Sequence, residues 1–143
     1  MSQRRERLLP QQQNTILLDS YTSPTDGATI YIDVQSLARL NEIEDLMRDL
    51  AFGKSKCFAL SELAETYWVP PIREILLSIS KYALLVTTEQ DGAALICHWS
   101  GTAEDWLDSA DKVREMARSG EPCHQYFEDR NPENPMLKLA YLE

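Results

Sequence analysis

The tripeptide Asp-Gly-Ala occurs twice, as Asp26-Gly27-Ala28 and Asp91-Gly92-Ala93, and each copy opens an apolar run that leads into a helical pattern. Further on, "DLMRDLAFG" (45–53) and "DKVREMARSG" (111–120) share a second pattern: Asp, any residue, apolar, Arg, acid, apolar, Ala, with Gly close behind. Two matched blocks, in the same order and at near-equal separation, are the sequence signature of an internal repeat. The flanks agree. "TILLDSY" and "YALLVTTE" precede the two Asp-Gly-Ala sites, and "KCFAL" and "HQYFE" follow the two helical stretches. Each copy then passes through a Pro-containing loop, "WVPP" or "NPENP", into a last apolar run, "IREILLSIS" or "MLKLAYLE".

Each copy therefore reads β-β-α-β-β, the first over about residues 15–80 and the second over about 82–143. Asp-Gly between apolar runs is a hairpin signal, because Gly tolerates the positive φ of a tight turn. Thr102, with Asp105 three residues on, has the pattern of a capping box that starts the second helix. Its apolar positions Ala103, Trp106, Leu107, Ala110, Val113 and Ala117 lie on one helical face, as do Leu37, Leu40, Ile43, Met47, Leu50 and Ala51 in the first helix. Gly53 and Gly120 stand where a helix stops on a left-handed residue. The expected fold class is α+β: two β-β-α-β-β units form one pseudo-twofold domain over 15–143, with two helices packed on a shared, mostly antiparallel sheet. A unit of about 65 residues buries only a marginal core alone, which favours one domain over two loose modules. Residues 1–14 have no counterpart in the repeat and read as a flexible N-terminal arm.

Charge and cysteine content narrow the function. The 143-residue chain carries a net charge of −9, and its one basic cluster is Arg4, Arg5 and Arg7 beside Glu6. Binding a phosphate backbone needs clustered Lys and Arg, so the expectation is no nucleic acid. The start of the chain has no signal-peptide pattern, and no apolar run approaches the roughly 18–20 residues of a spanning helix. Three cysteines, Cys57, Cys97 and Cys123, make no disulfide framework. The expected place is the cytoplasm, with no membrane partner.

Chemistry has few places to live. Cys97-His98 and Cys123-His124, with Cys57, are the soft ligands of the chain. Adjacent residues on a strand point to opposite faces, so each pair offers one ligand to a given side, short of the four a structural zinc takes. A Cys97–His124 or Cys123–His98 nucleophile pair would need the two side chains within hydrogen-bond reach. There is no GxGxxG, no GxxxxGK[ST] and no GxSxG. The expectation is no catalytic residue, no metal and no cofactor.

The acidic pattern says more. Glu104, Asp108, Asp111 and Glu115 recur at spacings of four, three and four, which makes a continuous stripe on the second helix. Glu42, Asp45 and Asp49 hold the equivalent repeat positions on the first. Like charges so placed cost a few tenths of a kcal/mol each, so a docking face for a basic partner competes with a plain solvated face. Runs such as "ALLV" and "AALIC" are apolar on both strand faces, and one helical layer covers only one. Trp99 and Tyr31 could populate the other face, and Trp68 in "YWVPP" is a further candidate anchor.

The segment "DWLDSADKVREMARSGEPCHQYFEDRNPENPMLKLAYLE" combines an amphipathic helix, a Gly turn, a strand containing His, a polar turn and a closing apolar strand. In this it resembles the immunity proteins that bacteria keep against their own polymorphic or contact-dependent toxins. The resemblance covers about a quarter of the chain. It implies a non-catalytic inhibitor that binds and occludes a toxin domain, often a basic one, with charge matching to speed association. It carries no particular binding residues across. The residues themselves keep two alternatives open: a structural or regulatory homodimer, and a small enzyme or ligand binder using the Cys and His residues.

Overall fold

The computed structural model describes residues 14–24, 27–127 and 133–143. In chain order the elements are β1 (Ile16–Ser23), β2 (Gly27–Val34), α1 (Leu37–Ala51), β3 (Cys57–Ala59), a 3-10 turn (Leu60–Glu62), β4 (Thr66–Trp68), β5 (Ile72–Ile79), β6 (Leu85–Asp91), β7 (Ala94–Gly101), α2 (Ala103–Ser119), β8 (Cys123–Phe127) and β9 (Met136–Tyr141). The expected arm falls outside the described residues save for Asn14, whose Oδ1 accepts from Ser36 Oγ at 2.6 Å and Arg39 Nε at 3.3 Å. Asp26 also falls outside them, while Gly27 and Gly92 take φ of +71° and +63°, a region that side chains other than glycine's enter at a cost.

The class is α+β, with two helices packed on mixed sheets of five and four strands. The single shared sheet expected from the sequence is instead two. One has the order β4-β1-β2-β9-β8 and the other β3-β5-β7-β6. The physical reason is long-range parallel pairing. Each hairpin is completed by the closing strands of the other half of the chain: β2 runs parallel to β9, which pairs antiparallel with β8. In the second sheet β7 runs parallel to β5, which pairs antiparallel with β3. Both sheets close at matching places, where Leu142 N donates to Val34 O at 3.0 Å and Ser80 N donates to Gly101 O at 2.7 Å. β4 is the edge strand of the five-stranded sheet. It is three residues long, of which Trp68 falls in the Pro-containing loop expected from the sequence, and it is made a strand only by parallel pairing with β1.

Helix starts follow their caps. Ser36 Oγ accepts from Arg39 N at 3.1 Å. Thr102 Oγ1 accepts from Asp105 N, and Asp105 Oδ2 accepts from Thr102 N, completing the capping box. Gly120, at φ +64°, ends α2 in the left-handed region. The buried positions of α1 are Leu40, Ile43, Glu44, Met47 and Leu50, and those of α2 are Trp106, Ser109, Ala110, Val113 and Met116. One constant offset along the chain carries the first set onto the second. The inner strand positions Ile30, Ile32 and Val34 correspond, at an offset one residue longer, to Cys97, Trp99 and Gly101, all buried. Inner faces of both sheets and both helices share one core, in which the Trp99 ring lies 5.0 Å from Trp106 and 5.0 Å from Phe127.

Candidate protein-binding surface

The helical period sets the site. On α1 the buried face is centred on Leu40, Met47 and Glu44, and Glu42, Asp45 and Asp49 lie on the opposite side of the helix. On α2 the same offset puts Glu104, Asp108, Asp111 and Glu115 opposite Trp106 and Val113. Since α1 packs directly against α2, both stripes point away from the core on one surface of the helical layer. Asp45, Glu104, Asp108, Asp111 and Glu115 are exposed, and Glu42 and Asp49 are half-buried.

The seam between the helices carries the countercharge. Arg48 Nε donates to Glu44 Oε2 at 2.8 Å, and its Nη2 donates to Asp111 Oδ1 at 3.1 Å. Arg114 Nε reaches the same Glu44 oxygen from α2 at 3.2 Å. Glu44 in α1 meets Arg114 in α2 and Arg48 meets Asp111, an order that only antiparallel helices produce. The hydrogen bonds to Glu44 and then Asp111 raise the Arg48 pKa above its ordinary value. Arg39 pairs with Glu42, and Arg118 with Glu115. Among the described residues, Asp45, Asp49, Glu104 and Asp108 have no ion pair. The two helices together hold nine carboxylates and five basic side chains, so their outer surface stays negative after every pair is counted.

The apolar anchors redistribute. Trp99 is 0% exposed and belongs to the core, so it is no surface contact. Its strand position faces the helices, because Leu77 and Val86 are its lateral neighbours and both are buried. Tyr31 does lie on the face of the five-stranded sheet turned away from that core, edge-on to Tyr21 with ring centres 6.0 Å apart. Trp68 is 46% exposed and borders a groove of about 260 Å³ formed with Pro70, Pro71, Ile72, Arg73, Ala93 and Ala94. Next to it the Tyr67 hydroxyl donates to Glu65 Oε2 at 2.8 Å, and that carboxylate raises the phenol pKa.

The Cys and His residues are not brought together. Cys97 lies in β7, with its thiol pushed up to about 12 by burial, which suppresses the thiolate needed of a nucleophile. His98 points the other way from β7, to Glu89 at 2.9 Å. Cys123 and His124 open β8 in the other sheet, where His124 Nδ1 lies 2.6 Å from Glu143 Oε2. Among the described residues no three of His, Cys, Asp and Glu are grouped to hold a metal ion.

One surface escaped the sequence reading. On the outer face of the five-stranded sheet, Lys138 Nζ sits 5.5 Å from the Tyr31 ring centre and 5.9 Å from that of Tyr126, and 3.7 Å from Glu143. Tyr126 stacks edge-on against His124 at 5.3 Å. The alternation of Tyr31, Tyr126 and Lys138 is visible in the sequence. Their assembly needs the parallel β2–β9 pairing, which links residues more than a hundred positions apart. No protein-family model, no curated protein and no solved structure matches this chain.

Proposed function

We propose that this protein is a non-catalytic, protein-binding inhibitor of the immunity type, which neutralises a basic toxin domain by docking it on the outer surface of the α1–α2 layer. The observation that carries the reading is the joining of two acidic stripes, far apart in sequence, on one exposed surface with four carboxylates unpaired among the described residues. Complementary charge of this kind speeds encounter and selects a basic partner. The unpaired Asp45 and Asp108 are the residues to change, because Asp111 is tied to Arg48 and its loss would disturb the seam.

The test co-expresses the chain with the product of the adjacent reading frame and follows growth and co-purification. The expected outcome is toxicity relieved by a stable complex, with Asp45→Lys plus Asp108→Lys losing both relief and complex while keeping a native circular dichroism spectrum. Relief and affinity untouched by the double variant, at both low and high salt, would remove the acidic surface from the mechanism.

We also infer that the chain is an internal duplication whose halves exchange their closing strands. The matched strand orders, the constant offset between the buried positions of α1 and α2, and the repeated Asp-Gly-Ala support it. The inference fails if segments 27–59 and 94–127 do not superpose along one path.

A further inference from the structure

Three of the five lysines in this acidic chain, Lys54, Lys56 and Lys81, come together at one end of the fold. The linear sequence hides this, because Lys81 lies in a different loop. The backbone brings them close: Cys57 pairs with Ser78 in the β3–β5 ladder, and Ile79 N donates to Lys56 O at 3.0 Å. The same end holds the C-terminus of α1, the start of β6 and, through the antiparallel helix pair, the N-terminus of α2. All three lysines are exposed. Around them stand Phe52 at 63%, Tyr82 at 68% and Leu85 at 42% exposed, the first two being the most exposed large apolar side chains described. Lys81 Nζ lies 5.6 Å from the Tyr82 ring centre. The helix turns bordering the patch add three carboxylates, Asp49, Glu104 and Asp105, the last of which is turned back onto the Thr102 backbone by the capping box.

We propose that this end is a peripheral docking patch for an anionic lipid surface, the three lysines contacting headgroups while Phe52, Tyr82 and Leu85 enter the interface. Three features favour a bilayer over an acidic protein segment. Every base in the patch is Lys, whereas nine of the chain's fourteen basic residues are Arg, the residue that recognises protein carboxylates bidentately. The patch sits on projecting loops and element ends, and neither cavity described in the fold, at Trp68 or between Tyr21 and Leu95, reaches it. Rings and an aliphatic tip flanked by lysines match the layered polarity of a membrane interface. The excess negative charge elsewhere acts weakly beyond the Debye length of about 10 Å at 0.1 M salt, while juxtaposed lysines gain from the leaflet potential. The proposal stands independently of the toxin-binding reading.

The test is co-sedimentation of the full chain with vesicles of phosphatidylcholine alone and of phosphatidylcholine with about one third phosphatidylglycerol, at low and at physiological salt. The expected result is partition onto the anionic vesicles alone, weakened by salt. Lys54→Glu with Lys56→Glu and Lys81→Glu should weaken it at least about tenfold, since three lysines near the surface are lost. Phe52→Ser with Tyr82→Ser should weaken it while preserving its salt dependence, and Lys112→Glu on the helical surface should leave it unchanged. No partition at low salt would overturn the proposal. So would equal partition onto neutral vesicles, or capture of poly-glutamate at the patch without vesicle binding, which would assign the patch to an acidic protein segment.

Discussion

Removing the Glu44 carboxylate should loosen the helix pair without unfolding it. Its side chain is 10% exposed and receives Arg48 at 2.8 Å and Arg114 at 3.2 Å. Hydrogen bonds to charged groups are worth about 1.5–3 kcal/mol each, so two lost together set an upper limit of about 6 kcal/mol. Two features of the seam reduce that. Arg48 keeps Asp111, and Arg114 is 50% exposed, so both guanidiniums find partners or water after the change. The expectation for Glu44→Ala is a loss of about 2 kcal/mol, below the roughly 3–5 kcal/mol of a fully buried pair broken on one side. For a chain of this size that is a fall in Tm of about 6 °C. Urea unfolding followed by tryptophan fluorescence reads it directly, because Trp99 and Trp106 are both in the core. Arg114→Ala alone should cost less than about 1 kcal/mol, since its pair is half in water. The Glu44–Arg114 double-mutant cycle should return a coupling of about 1 kcal/mol. A Glu44→Ala loss under about 0.5 kcal/mol, or a coupling near zero, would show that the seam does not hold the helices together.

Cys97 gives an alkaline signature: its folded thiol keeps its proton to about 12, while the unfolded thiol releases it near the ordinary 9.0. The unfolded state therefore gains from deprotonation first, and the Cys97 contribution, complete below pH 9, is lost as pH rises toward 12, by up to about 4 kcal/mol. The stability difference between the native chain and Cys97→Ala should narrow steadily above pH 9, and a constant difference from pH 8.5 to 10.5 would refute this. Fragments 14–81 and 82–143 should each be unfolded alone and regain structure on mixing, because β2–β9 and β5–β7 join the two halves. A cooperative unfolding transition in either isolated fragment would contradict that dependence.

The local elements were legible because their signals are local. The capping box at Thr102, the left-handed Gly120 and the 3–4 spacing of Met47 and Leu50 act within one or two turns, and each lands where the periodicity predicts. What the sequence does not carry is which strand lies beside which. A two-sided apolar run such as "AALIC" reads the same in one shared sheet or in two, and the parallel β2–β9 and β5–β7 pairings leave no mark on either strand. That ambiguity decides Trp99. In alternation it is a candidate for either face, and only the pairing with Leu77 and Val86 sends it inward. β4 was invisible because three residues next to two prolines have no period of their own. The acid stripes were legible as stripes, since their spacing is helical. Their joining needed the helix contact, and the Arg48–Glu44–Arg114 seam needed its antiparallel sense.

The seam also explains how an acidic surface persists on two packed helices. Crowding Asp45, Asp49, Asp108 and Glu115 onto one layer sets like charges against one another, a cost of a few tenths of a kcal/mol for each close pair. Arg48 and Arg114 sit between the stripes, and each reaches Glu44 at the edge of the core, so the positive charge of the largely covered Arg48 and the half-exposed Arg114 is drawn in toward the seam while the stripes stay outside. Of the groups through which the helices attract each other, Glu44 lies off the outer stripes, and only Asp111 is shared with them. Reversing the outer charges at Asp45 and Asp108 leaves that attraction intact, whereas removing Glu44 weakens it and leaves the outer charges in place. The two substitutions separate recognition from stability. If both moved partner affinity by the same factor, binding would report only the integrity of the helix pair, and the acidic stripes would have no recognition role of their own.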